Sequence, residues 1–222
     1  MNLRLIRDRY PWPDVPTSIQ PYIVSLDGGG RHLVDALIEK DAVQMMLEIG
    51  SFLGGSTHRW LDCSPYHQVI AVDPWNFRAG DYVASEQNWF YWPKPPDNIV
   101  HQLNANDGLY HTFLANLAGH RERLIPVRGN SPEVLEELQE LGLQPDLIYI
   151  DADKERDDLE ACHRLWPTAR LTGDDYTWNA EAGFPMQQIA HAFASDHGYE
   201  VIHDRATWVL QRGLDSKIAV TC

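Results

Sequence analysis

Four short apolar segments, each followed by a stretch with helical periodicity, limit what this chain can fold into more than any other feature. They are VQMMLEI (43–49), QVIAVD (68–73), RLIPVRG (123–129) and DLIYID (146–151). A strand with one solvated face alternates apolar and polar residues. These runs are apolar almost throughout, as strands covered on both faces are. Behind them, STHRWLDCS (56–64), SPEVLEELQEL (131–141) and residues 154–166 read as helices. In the last of these, Leu159, Cys162, Leu165 and Trp166 share a face, and Pro167 ends it. ARLTGDD (169–175) holds a short fifth strand. Residues 184–197 form a helix with Met186, Ile189, Ala190 and Phe193 on one side. YEVIHD and ATWVLQR make a hairpin around Arg205. Strands that alternate with helices build a mostly parallel, doubly wound sheet. The expected fold class is α/β: one domain over residues 1–222, with a seven-stranded sheet and a C-terminal antiparallel hairpin.

Two segments stand outside this alternation. Residues 1–22 carry Pro11, Pro13, Pro16 and Pro21, too many for a regular element, and read as an arm laid over the domain. The glycines 28–30 have no apolar strand before them, so they read as a hinge or turn. A helix over 31–40 completes this N-terminal part, with Leu33, Leu37 and Ile38 at helical spacing. Residues 74–105 are long, irregular and rich in Trp and Pro. Trp75, Tyr82, Trp89, Phe90, Tyr91 and Trp92 make the segment too aromatic for disorder, and a lid or acceptor-binding role suits it.

The net charge of −14 argues against a nucleic-acid partner or an anionic membrane surface. No run approaches the ~18 apolar residues of a membrane span, and the N-terminus lacks the apolar core of a secretory signal. Cys63, Cys162 and Cys222 are odd in number and far apart, which suits a reducing, cytoplasmic setting. The ten histidines show neither HExxH nor His-x₃-His, and GNSPE is not a nucleophile elbow.

LEIGSFLGGST (47–57) is a strand, a glycine turn and a helix start. Its glycines are Gly50, Gly54 and Gly55, without the GxGxxG spacing of a dinucleotide site. Ser56 and Thr57 offer hydroxyls and backbone N–H groups to an anion such as a carboxylate. The next strand ends in Asp73, 23 residues past Gly50, where an acid suits the two hydroxyls of an unphosphorylated ribose. A nucleoside bearing a carboxylate fits better than one bearing a pyrophosphate, and S-adenosylmethionine (SAM) meets that description. A plain strand–helix turn with an acid at a strand end is the simpler alternative.

Asp151 closes the fourth strand, and Asp174 and Asp175 follow the fifth. Adjacent strand ends are close in space, and three carboxylates in one cleft repel each other unless a cation sits among them. Oxygen ligands alone select a hard divalent ion, Mg²⁺ first, with Mn²⁺ or Ca²⁺ also suitable. Lys154, three residues past Asp151, is a candidate general base beside such an ion. Asp153, Glu155, Asp157 and Asp158 suit the start of a helix without further role.

Taken in order, LEIGSFLGGST, AVDPW, VRGNSPEVLEEL, LIYIDADK and GDDYTW resemble the class I SAM-dependent methyltransferases. The likeness is to small bacterial methyltransferases, to the metal-dependent catechol and caffeoyl-CoA O-methyltransferases, and to macrocin-type sugar O-methyltransferases. That resemblance implies a Rossmann-like fold. It also implies that Glu48, Gly50, Phe52, Gly54 and Ser56 surround the methionine part of SAM, that Asp73 holds the ribose and that Asn130 and Ser131 lie by the adenine. Asp151, Asp174 and Asp175 would bind the metal, with Asp151 and Lys154 in the chemistry. Trp75, next to the ribose acid, is placed to flank the nucleoside. Trp89 and Trp92 either shape an acceptor pocket for an aromatic ring or sugar face, or pack the long loop onto the domain.

The expectation is a SAM-dependent O-methyltransferase of a small molecule with an aromatic or sugar hydroxyl, assisted by a divalent cation; a homodimer is compatible with it. Two alternatives stay open: a metal-independent O- or N-methyltransferase, and an NAD-binding oxidoreductase.

Overall fold

The computed structural model describes residues 3–24, 29–86, 93–153 and 155–213. In chain order the elements are α1 (Leu3–Arg9), α2 (His32–Lys40), β1 (Met45–Ile49), α3 (Gly55–Cys63), β2 (Gln68–Asp73), α4 (Ala79–Ala84), α5 (Asp97–Asn104) and α6 (Gly108–Asn116). There follow β3 (Leu124–Arg128), α7 (Glu133–Glu140), β4 (Leu147–Ile150), α8 (Asp157–Leu165), β5 (Arg170–Gly173), α9 (Pro185–His197), β6 (Tyr199–Asp204) and β7 (Thr207–Arg212).

The strands form one seven-stranded sheet in the order β3-β2-β1-β4-β5-β7-β6. The first five are parallel, with Leu47 opposite Ile70 on one side and Ile148 on the other. β7 runs antiparallel to β5, Gly173 facing Trp208, and β6 pairs with β7 as the C-terminal hairpin. The doubly wound α/β reading of the sequence therefore holds.

Every residue of β1 is buried, because helices cover both faces. Met45, Leu47 and Ile49 join one core layer with Leu135 and Leu138 of α7, Leu159 and Cys162 of α8, and Phe193 of α9. Met46 joins the opposite layer with Leu37 of α2, Trp60 of α3, Leu103 of α5 and Phe113 of α6. Burying a side chain of this size contributes roughly 1.5–3 kcal/mol, so the two layers account for why the strands are apolar on both sides. α9 starts with Pro185 at its first turn, where no N–H is needed, and ends at Gly198 with φ 73°.

Two expectations are corrected. The N-terminal arm is irregular only from its prolines onward. Ahead of Pro11 the chain forms α1, whose Ile6 is buried and whose end is fixed by Tyr10 Oη donating to Glu137 at 2.8 Å. Segment 74–105 is likewise not irregular throughout, since it contains α4 and α5. Asn104 joins them by accepting from Gly80 N at 3.0 Å. No helix of the described residues is long and apolar enough to cross a membrane.

At the opposite edge of the sheet from the strand ends that carry the acids, His67 enters β2 with no exposed surface. Arg123 donates to Ser64 O at 2.8 Å and Leu61 O at 2.9 Å and braces the same turn. Burial, reinforced by the Arg123 charge, pushes the imidazole from its ordinary 6.5 down to about 4. Between those values the unfolded chain takes up a proton that the folded chain refuses. This contribution to stability is complete above pH 6.5 and is lost as pH falls toward 4. We expect Tm to fall across that window with a shallower slope in His67→Phe, and equal slopes would contradict the assignment.

Candidate functional site

The carboxyl ends of all five parallel strands meet at one edge, and the chain reverses direction across the sheet between β1 and β4. Ligands of open α/β sheets bind at such switch points. The turn after β1 lies against the turn after β4. A Cβ on Gly50, where φ is +88°, would sit 2.0 Å from the Asp151 carbonyl oxygen. Glycine is required there both by the backbone angle and by the neighbour.

Below the turn, Glu48 has no exposed surface. Its carboxylate accepts from Ser51 Oγ at 2.9 Å, from Trp60 Nε1 at 3.0 Å and from Thr57 Oγ1. Burial raises its pKa, and the hydroxyl and indole donors pull it back. Asp73 holds the turn from the β2 side: Oδ2 accepts from Ser51 N at 3.1 Å and Phe52 N at 2.9 Å, and Oδ1 from Trp75 N at 2.7 Å. Burial pushes Asp73 up as well, against the pull of those three amides. A carboxylate offers about four acceptor sites, three of which these amides take, and Asp73 also lines the cleft.

The cleft has a volume of about 730 Å³, within the usual range for small-molecule sites. Gly50, Phe52, Asp73, Asn130, Ser131 and Asp151 line it, as does Asp175. The structure thus brings together predicted residues from five separate segments. Phe52, Phe77, Tyr82 and Trp178 form its aromatic wall. Phe52 stacks on Phe77 with centroids 5.9 Å apart and meets Tyr82 edge-on at 6.0 Å. Phe77, Tyr82 and Trp178 are all exposed.

Other predicted residues lie elsewhere. Glu48 supports the glycine turn from beneath. Gly54 (φ +82°) packs against Leu117 and Phe113 and closes the turn into α3, with Ser56 on that helix. Trp75 does not reach the cleft: it is 2% exposed and packs on Tyr110 and Phe113 at 4.8 and 4.6 Å. Its Nε1 donates to Phe52 O at 2.7 Å, so it fixes the turn from behind. Lys154, Trp89 and Trp92 lie outside the described residues. Asp153, read as a helix-start acid, lines the cleft, and Asp158 is buried, which pushes its pKa up.

The three acids proposed as metal ligands divide into two groups. Asp151 and Asp175 line the cleft, whereas Asp174 turns inward and is buried. Asp174 pairs with Arg31, whose Nη2 also lies 3.6 Å from Asp151 Oδ2. Burial works against the Arg31 charge, and Tyr149, Asp174 and Asp151 outweigh it, so the guanidinium stays protonated. Sequence reasoning missed Arg31 and the wall residues Phe77 and Trp178. The only local hint of Arg31 was its position directly after the glycine turn.

The methyltransferase domain family matches this chain over residues 47–175, more than half its length. The chain belongs to that family, and its fold is that of the class I methyltransferases. No curated relative matches it in sequence. Among solved structures it is similar to the O-methyltransferase from Bacillus cereus in complex with SAH (TM-score 0.54, 18% identity, 93% of this chain and 86% of that one). It is similar also to the O-methyltransferase TomG from Streptomyces achromogenes, involved in tomaymycin synthesis and in complex with SAM (TM-score 0.57, 16% identity, 96% and 91%). The SAH-bound methyltransferase PaMTH1 from Podospora anserina is a third (TM-score 0.54, 13% identity, 82% and 77%). At these identities the likeness is one of fold.

Gly50→Ala tests the close approach of the two turns. The added methyl group meets backbone rather than a movable side chain, so we expect a loss of roughly 2–4 kcal/mol in urea unfolding. A loss within about 0.5 kcal/mol, the ordinary surface effect, would contradict the geometry.

Proposed function

We propose that this protein is a SAM-dependent O-methyltransferase that acts on the hydroxyl of a small molecule. The observation that carries the proposal is the single cleft shared by the glycine turn, the β2 acid, the Asn130–Ser131 turn and two further strand-end carboxylates. SAM has a matching set of groups. Its amino-acid part suits the turn at Gly50, its ribose hydroxyls suit the remaining acceptor site of Asp73, and its adenine suits Asn130 and Ser131. The aromatic wall of Phe52, Phe77, Tyr82 and Trp178 favours a flat acceptor.

In the proposed reaction the acceptor hydroxyl gives its proton to a cleft carboxylate, Asp151 or Asp175. The oxygen then attacks the methyl carbon of the sulfonium in line. The O–CH₃ bond forms as the S–CH₃ bond breaks, leaving a thioether, S-adenosylhomocysteine (SAH). Much of the rate would come from alignment of the two reactants, with general-base help of about 10²–10⁴-fold. Lys154, the other candidate base, follows Asp153 directly in the chain. The divalent cation expected from three convergent acids has no part in this scheme, because Arg31 already pairs with two of them.

Calorimetry with SAH tests the proposal. We expect binding to the wild-type protein and affinity about 10- to 100-fold weaker in Asp73→Asn, the cost of a lost hydrogen bond to a charged group. Absence of SAH binding to the wild type would overturn the reading, and unchanged affinity in the variant would remove Asp73 from the ribose.

A further inference from the structure

Acids at neighbouring strand ends need positive charge among them, and a divalent ion is one way to supply it. Here the chain contributes its own. Arg31 is 4% exposed and pairs with Asp174, while Asp151 Oδ2 lies 3.6 Å from the same nitrogen. We propose that Arg31 is the built-in cation of this site, a positioning residue that takes the place of a divalent metal and sets Asp151 at the cleft. The inference rests on reading the cleft as the site of methyl transfer.

Three observations support it. First, Asp174 is held from both sides: its N–H donates to Ile150 O at 3.0 Å, and its carbonyl accepts from Trp208 Nε1 at 2.8 Å. These bonds fix its backbone at the end of β5, and the carboxylate itself is held by Arg31. Second, the turn that delivers Arg31 is built against the C-terminal hairpin. Gly29 O accepts from Thr207 N at 3.0 Å and Thr207 Oγ1 at 2.8 Å. Gly30 has φ +85°, and a Cβ there would lie 2.0 Å from Asp204 O. Only glycine permits that approach, which accounts for the glycine at position 30. Third, Mg²⁺ demands oxygen ligands at about 2.0–2.1 Å in octahedral array. A guanidinium against the Asp174 carboxylate occupies that space and repels a second cation. Arginine suits the role because it stays charged when buried and its planar donors can serve two carboxylates at once.

Asp151 differs from Asp174 in keeping a side chain that is 24% exposed. The buried acid anchors Arg31, and the half-buried one lines the cleft with its charge balanced by the same guanidinium. Removing Arg31 would free both carboxylates to attract the ion that the wild type excludes.

The test uses the full-length protein, stripped with EDTA and titrated with Mn²⁺ alone, followed by electron paramagnetic resonance, with and without SAH. We expect the wild type to bind no Mn²⁺ at this edge at sub-millimolar concentration. Arg31→Ala should tighten Mn²⁺ binding at least about tenfold by removing the repulsion. It should also lower Tm by roughly 6–12 °C, because a buried acid loses its partner, and millimolar Mn²⁺ should restore part of that loss. Arg31→Lys, which keeps the charge, should stay silent to Mn²⁺ and recover part of the stability; it carries the test if the alanine variant fails to fold. Stoichiometric Mn²⁺ in the wild type that Asp151→Asn abolishes would overturn the proposal, as would equal Mn²⁺ binding by wild type and Arg31→Ala. Should SAH fail to bind while the Mn²⁺ results hold, the methyltransferase reading fails and the charge replacement stands.

Discussion

A carboxylate with no exposed surface, that of Glu48, holds the working edge of this molecule together. It is the penultimate residue of β1 and takes hydrogen bonds from the glycine loop, through Ser51, and from α3, through Thr57 and Trp60. A buried acid without partners would cost several kcal/mol or give up its charge. Its three donors tie strand, loop and helix into one arrangement, although burial still holds its pKa above the ordinary carboxylate range. Asp73 repeats the device one strand away with backbone amides as donors. With the loop clamped between two acids, Gly50 can sit against Asp151 and the cleft takes its shape.

The same logic of charge runs through the rest of the edge. The chain carries a net charge of −14, and several of its acids cluster where the parallel strands end. Each is handled differently. Glu48 is buried on neutral donors, Asp73 on amides, Asp174 on a guanidinium, and Asp151, Asp153 and Asp175 face the cleft. Asp73 also lines the cleft, whereas Glu48 and Asp174 are buried away from it. Arg31 links the two groups, since it touches one of each.

Much of the sheet was legible in the sequence because its strands are short, apolar and buried on both faces. QVIAVD and YEVIHD coincide with β2 and β6, and the other strands lie within two residues of their expected ends. α1 was obscured by the prolines that follow it, and α4 and α5 by the aromatic density around them. Within the site, Gly50, Asp73 and Asp151 were legible because strand-end position and residue type together define their surroundings. Trp75 misled because its burial depends on α6, packed from outside its own segment. Arg31 had only its place after the glycine turn to mark it, as its partner Asp174 lies 143 residues away. Asp174 and Asp175 are adjacent in sequence, yet one turns inward and the other lines the cleft. The turn at Asp175, with φ 63°, separates them, and no local pattern announced it.

In the proposed arrangement this edge holds the methyl donor by Asp73 and balances its acids without a metal. A crystal structure of the protein grown with SAH and excess Mg²⁺ tests both halves at once. The expected result is the ribose hydroxyls on Asp73, the adenine beside Asn130 and Ser131, and the Arg31 guanidinium still between Asp151 and Asp174 with no ion among the three acids. An Mg²⁺ ion ligated by Asp151, Asp174 and Asp175, with Arg31 displaced, would contradict it.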